Sequence, residues 1–202
     1  MSEALALAQS PLQTYARPGL YGSKHGPTPL LVSEVRGRAL VGVMARRGLN
    51  ETLQAKVRDR FGIEMPSTPR LAIGTQMSFL WAGHEQWLSI AEEKITPDLP
   101  SMLKRELGQL ASVVDHSDAR AWIRICGQAA PATLAKLAPI DFHPRVFRPH
   151  DTALTVMEYI PVQITQLDEQ PSYEISAPRS FAESFWHGLI QAASEFGIRV
   201  VP

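Results

Sequence analysis

The 202-residue chain has one cysteine, Cys126, no surplus of charge of either sign and no apolar run approaching a membrane span. A single thiol excludes an internal disulfide and any zinc site built on several cysteines, and it suits a reducing cytosol. Twenty basic residues against 20 acidic ones leave no global field that would draw nucleic acid or an anionic membrane as partner. Residues 1–9 (MSEALALAQ) are briefly apolar. Glu3 stands where a secretory signal needs positive charge, and the run is too short to cross a bilayer. The expectation is a cytoplasmic protein with neither membrane nor nucleic acid as partner.

What is present is a core. With 45% hydrophobic residues the chain can bury roughly 70% of the surface it exposes unfolded. Residues 1–36 are read as an extended N-terminal arm. Pro11, Pro18, Pro27 and Pro29 with Gly19, Gly22 and Gly26 disfavour helix and central strand. Leu12, Tyr15, Leu20, Tyr21 and Leu30 give the arm apolar anchors, so it is expected to lie on a partner.

Residues 37–202 read as one α+β domain. A strand at 38–45 leads through an Asn50 cap into a helix with Leu53, Val57 and Phe61 on one face, ended by Gly62. Alternation of Leu71, Ile73, Met77, Phe79 and Trp81 gives a long strand, turning at 83–86 into a second. Leu99, Leu103, Leu107 and Leu110 mark a helix, followed by a strand at 112–115. That order is βαββαβ, the ferredoxin-like arrangement.

The second half repeats it. A strand at 120–126 precedes a helix at 127–138, then two strands lie within 153–159 and 162–167, with 173–177 extending or pairing with the second. Ser180 and Glu183 are spaced as a capping box for the last helix, on which Phe181, Phe185, Leu189, Ala192 and Phe196 form a stripe. A strand at 198–201 closes the chain. The fold class is therefore two ferredoxin-like units, about 37–117 and 118–202, packed into one body.

No catalytic constellation emerges. Asp115, His116, Ser117 and Asp118 supply the residue types of a hydrolytic triad, but neighbours on a strand point to opposite faces. Asp141, His143, His150 and Asp151 lack the further ligands a zinc site needs. Neither G-x-G-x-x-G after a strand nor a phosphate loop is found. Catalytic, cofactor-binding and metal residues are accordingly expected to be none on this chain. The candidates are contact residues: Tyr15, Leu20 and Tyr21 in the arm, Arg36, Arg38, Arg46 and Arg47 as a basic cluster around the first strand, and Trp186 beside the last helix's apolar stripe.

Three stretches carry a resemblance: residues 81–88 (WAGHEQWL), 114–127 (VDHSDARAWIRICG) leading into 135–147 (AKLAPIDFHPRVF), and 177–197 (APRSFAESFWHGLIQAASEFG). In order and spacing they resemble the gamma subunit of heterotetrameric sarcosine oxidase, over about residues 70–197. The Asp-Phe-His-Pro and Pro-Arg-Ser-Phe segments are the most specific.

The resemblance implies a non-catalytic subunit assembling with alpha, beta and delta chains. It implies oxidative demethylation of sarcosine to glycine by the complex, with the one-carbon unit passed to tetrahydrofolate. FAD, FMN, NAD and zinc are implied in the other subunits, and no cofactor on gamma. It also implies the folate-binding fold of aminomethyltransferase relatives. Three alternatives stay open: the gamma chain of a related N-methyl amino acid dehydrogenase, such as one acting on N-methylglutamate; a free-standing folate-binding protein; and an unrelated adaptor.

Overall fold

The computed structural model describes residues 10–23 and 30–202. The segment 1–9 and the arm residues Gly26, Pro27 and Pro29 lie outside the described residues. Strands are β1 (Gly19–Tyr21), β2 (Leu30–Glu34), β3 (Arg38–Ala45), β4 (Leu71–Ile73), β5 (Ser78–Gly83), β6 (Gln86–Glu92), β7 (Ala111–Asp115), β8 (Arg120–Cys126), β9 (Thr152–Met157), β10 (Ile160–Asp168), β11 (Ser172–Pro178) and β12 (Ile198–Val201). Helices are α1 (Asn50–Phe61), α2 (Leu99–Leu107), α3 (Ala130–Ala135) and α4 (Ala182–Ala193).

The strands make two sheets. The smaller, ordered β4-β5-β6-β3-β7, keeps the strand order of a ferredoxin-like unit, with β4 added at its edge. Odd residues of β3, Val41 and Val43, pack with Leu53 and Val57 of α1 and Leu99, Leu103 and Leu107 of α2. The fourfold spacing on the helices and the twofold spacing on the strand put these residues on facing surfaces.

The larger sheet is ordered β1-β12-β2-β8-β11-β10-β9. Its outer face, including Ile123, Ile125, Ile175 and Ala177, packs against Ala130 and Leu134 of α3 and Phe185, Trp186 and Leu189 of α4. The inner faces of the two sheets meet at Leu40, Leu80 and Trp122, with Leu71, Leu88 and Ile90 beside them. The body is thus layered helix, sheet, sheet, helix.

One departure concerns the arm. Its described residues hold a turn at 11–15 and the strands β1 and β2, and β2 is inserted between β8 and β12, antiparallel to the first and parallel to the second. Leu30 and Val32 are buried in the second unit's core. An alternating LLVSE run following prolines reads as arm because the partners it pairs with are about 90 and 170 residues further along the chain. Leu12 is likewise buried in that core, so this anchor holds the arm to its own chain.

Four local expectations are corrected. Asn50 is the first helical residue of α1 and caps nothing; Leu49 precedes it, and the Asn50 Oδ1 accepts a hydrogen bond from Gln54 Nε2 at 3.1 Å. Ser180 does not form a capping box, because the chain enters α4 through a short 3-10 turn at Arg179–Phe181, and Phe181 holds the cap position. The helix expected at 127–138 shrinks to α3, six residues, and the long alternating strand is broken by a turn in which Gly74 N–H donates to Met77 C=O.

Candidate functional site

The strongest polar feature lies between the sheets. On β11, Tyr173 and Ile175 face the helical layer, so the strand's alternation turns Glu174 toward the other sheet. Glu174 is 5% exposed. Arg38 of β3 donates to it two-pronged, Nη1 to Oε2 at 2.5 Å and Nη2 to Oε1 at 2.8 Å. Arg124 of β8 donates to Oε1 through Nη2 and, at 3.1 Å, through Nε. Burial pushes the Glu174 carboxyl up, but the hydrogen bonds and charge of Arg38 and Arg124 outweigh it and hold its pKa below the usual carboxylate value. Nearby, Gln163 Nε2 donates to the Trp81 carbonyl at 2.7 Å, a second bridge between sheets.

This cluster is a structural bolt. A carboxylate that two guanidinium groups hold below its usual pKa is a weak base, and no nucleophile is bonded to it. Sequence reasoning missed Glu174 because a polar residue alternating with apolar ones on a strand has the pattern of a solvent face; nothing local marks the opposing sheet.

Arg38 is therefore removed from the expected basic cluster. It is mostly buried, and its guanidinium lies over the Trp122 ring at 5.6 Å. Arg36 is exposed and donates to Glu34 at 2.6 Å. Arg46 and Arg47, also exposed, stand at the opposite end of β3. Eight residues of strand put roughly 26 Å between the two pairs, so the four arginines do not form one patch.

The other contact candidates also divide. Tyr15 turns inward: its ring meets His187 edge-on at 5.8 Å. Its hydroxyl engages Glu183, and that bond raises its pKa. Trp186 is 4% exposed and sits in the second unit's core. The widened stripe on α4 is satisfied by that core, since β2 and the arm enlarge the surface α4 covers. Leu20 is 64% exposed and Tyr21 lies at the surface, on an edge strand.

The two polar clusters weighed as sites prove to be turns. Asp115 Oδ1 accepts from Ser117 N at 2.9 Å and from Ser117 Oγ at 2.7 Å, and these bonds lower the Asp115 pKa. Ser117 Oγ also accepts from Leu40 N at 3.1 Å. Asp141 Oδ1 accepts from His143 N, and Asp151 accepts from Arg70 Nη1 and Arg148 N. Among the described residues no group of three or more His, Cys, Asp or Glu is placed to hold a metal, and no helix is long and apolar enough to cross a membrane.

A cavity of about 850 Å³ opens where β8 ends. Leu31, Leu167, Pro171 and Phe196 give it apolar walls, with Arg124, Cys126 and Ser172 among its polar lining. Burial raises the Cys126 thiol pKa, Arg124 opposes, and the charges of Asp168 and Glu174 add to the rise. A protonated thiol without a neighbouring base is a poor nucleophile.

Residues 47–195 match the family described as sarcosine oxidase, gamma subunit. A sarcosine oxidase subunit gamma from Corynebacterium sp. (strain P-1) is 32% identical over 200 residues, covering 96% of this chain and 94% of the relative. One from Arthrobacter sp. is 32% identical over 199 residues with the same coverage. A chain of heterotetrameric sarcosine oxidase from Corynebacterium sp. U-96, solved with pyrrole 2-carboxylate, superposes with a TM-score of 0.78 at 30% identity, over 94% of this chain and 96% of that one. Aminomethyltransferase T of the glycine cleavage system from Bartonella henselae shares the fold, with a TM-score of 0.59 at 11% identity over 83% of this chain and 49% of that one.

Proposed function

The chain belongs to the sarcosine oxidase gamma subunit family, and on that premise we propose that it is the gamma subunit of a heterotetrameric sarcosine oxidase, assembled with alpha, beta and delta chains. The complex oxidatively demethylates sarcosine to glycine and passes the one-carbon unit to tetrahydrofolate. This chain contributes surface and rigidity to the assembly, while the reacting groups belong to its neighbours. FAD, FMN, NAD and zinc are assigned to the alpha, beta and delta chains, and the complex to the cytoplasm.

The observation that carries the reading is end-to-end similarity. The named gamma subunits match over 96% of this chain and 94% of their own length. The interior supports it: the buried carboxylate is held by two arginines, and the polar clusters on the surface are turns.

The test is co-expression of the full chain with the alpha, beta and delta chains, followed by sarcosine-dependent peroxide formation. The assembled complex should turn over, and the chain alone should show neither turnover nor flavin absorbance. Tight folate binding by the chain alone, or a complete active complex that excludes it, would contradict the proposal.

A further inference from the structure

The tip between β9 and β10 carries two consecutive non-glycine residues in the left-handed region, Glu158 at φ 47° and Tyr159 at φ 71°. Met157 pairs with Ile160 across them, so the connection is the two-residue hairpin turn that favours Asn-Gly. Here it holds a glutamate and a tyrosine, each in a conformation that L side chains adopt at a cost.

Tyr159 is 98% exposed. The strain therefore gives no packing in return within the chain. The tip is braced all the same, because the Glu158 carboxylate lies against Gly188 of α4, where a Cβ would overlap Oε2. An aromatic ring is thus held out on a fixed turn, and tyrosine is a residue type that concentrates binding energy at interfaces.

The adjoining strand makes a second case. β9 is the edge of the seven-stranded sheet, and its sequence, TALTVM, holds no charge and no proline. Edge strands are ordinarily guarded by such residues. Leu154 and Val156 instead project from one face, each about half exposed. An uncharged strip leading to Tyr159, with the Glu158 carboxylate turned onto α4 and the Asp151 carboxylate before the strand paired with Arg70, fits an uncharged apolar surface and does not fit a charged one.

We propose that Tyr159, with Leu154 and Val156, anchors this chain to a partner subunit of the heterotetramer, the ring entering an apolar recess that offers an acceptor for its hydroxyl. The inference rests on the gamma-subunit reading and deepens it by naming the contact. The strain is retained because glycine, the relaxed choice for the turn, has no ring to insert.

The test is Tyr159→Gly in the full chain, alone and co-expressed with alpha, beta and delta chains, with Val156→Lys as a second variant. Glycine should raise the melting temperature of the chain alone, by relieving the positive φ, and should speed loss of the chain from the purified complex at least tenfold on dilution. Val156→Lys should also weaken retention. If the unaltered chain fails to assemble, the gamma-subunit reading falls and the anchor with it. If the unaltered chain assembles and both variants are retained equally well, the anchor alone falls. The anchor is also overturned if Tyr159→Gly lowers the melting temperature, or if the strip pairs two copies of this chain and Val156→Lys disrupts only that pairing.

Discussion

Arg38 of β3 and Glu174 of β11 are joined by two short hydrogen bonds, 2.5 and 2.8 Å, that cross from one sheet to the other. Because Arg124 shares the same carboxylate, removing Glu174 leaves two guanidinium groups without their anion between the sheets. Glu174→Ala should cost about 3–5 kcal/mol, read as a lower urea midpoint; Glu174→Gln, which keeps an acceptor oxygen, should cost less. An unchanged midpoint in both variants would mean that the sheets hold together without the bolt.

The same carboxylate makes stability depend on pH in one direction. Burial raises its pKa and the two arginines lower it further than burial raises it, so the folded value lies below the unfolded one. Its contribution is present above the unfolded pKa of about 4.3 and is lost as pH falls through the lower folded value. The stability gap between the unaltered chain and Glu174→Gln should narrow on acidification below about pH 5. A gap that widens there would reverse the assignment.

Gly42 lies beneath His116, and a Cβ placed there would come 2.8 Å from the imidazole Cδ2 and Nε2. Gly42→Ala should destabilise by about 1–3 kcal/mol through overpacking. The double variant with His116→Ala should recover most of that loss. A double-mutant cycle by denaturant unfolding measures it, and strict additivity would show that the ring does not set the requirement.

Leu12 and Trp186 test whether the arm and α4 face inward. Both are buried in the second unit's core. Leu12→Ala should cost about 2–5 kcal/mol and Trp186→Ala about 3–5 kcal/mol in the full chain. Weakened assembly with no loss of chain stability would return Trp186 to an interface.

How far the sequence foretold all this depends on range. Periodicity placed β3, α1, α2 and β8 closely, since Leu53 with Val57 and Leu99 with Leu103 are spaced for a single face. Gly62 likewise read true, and of the last helix's stripe Phe185 and Leu189 did, while Phe181 is exposed and Trp186 and Ala193 are buried in its place. What failed depended on remote partners. Nothing in LLVSE announces that β12 will lie beside it, and nothing in YEIS separates a solvent-facing glutamate from one facing a second sheet. The Glu158-Tyr159 turn escaped notice because its residues lack the composition that marks such turns. Contact residues were hardest, because exposure is decided by the whole body: Arg38, Tyr15 and Trp186 turned inward, while Leu20 and Tyr21 stayed at the surface.

The central claim is membership in an assembly, and the most direct measurement is the native mass of the complex purified through a tag on this chain after co-expression with alpha, beta and delta chains. The account predicts one species containing all four polypeptides in equal amounts, with flavin absorbance. Recovery of this chain as a monodisperse monomer, with the other three assembled and colourful without it, would contradict the account.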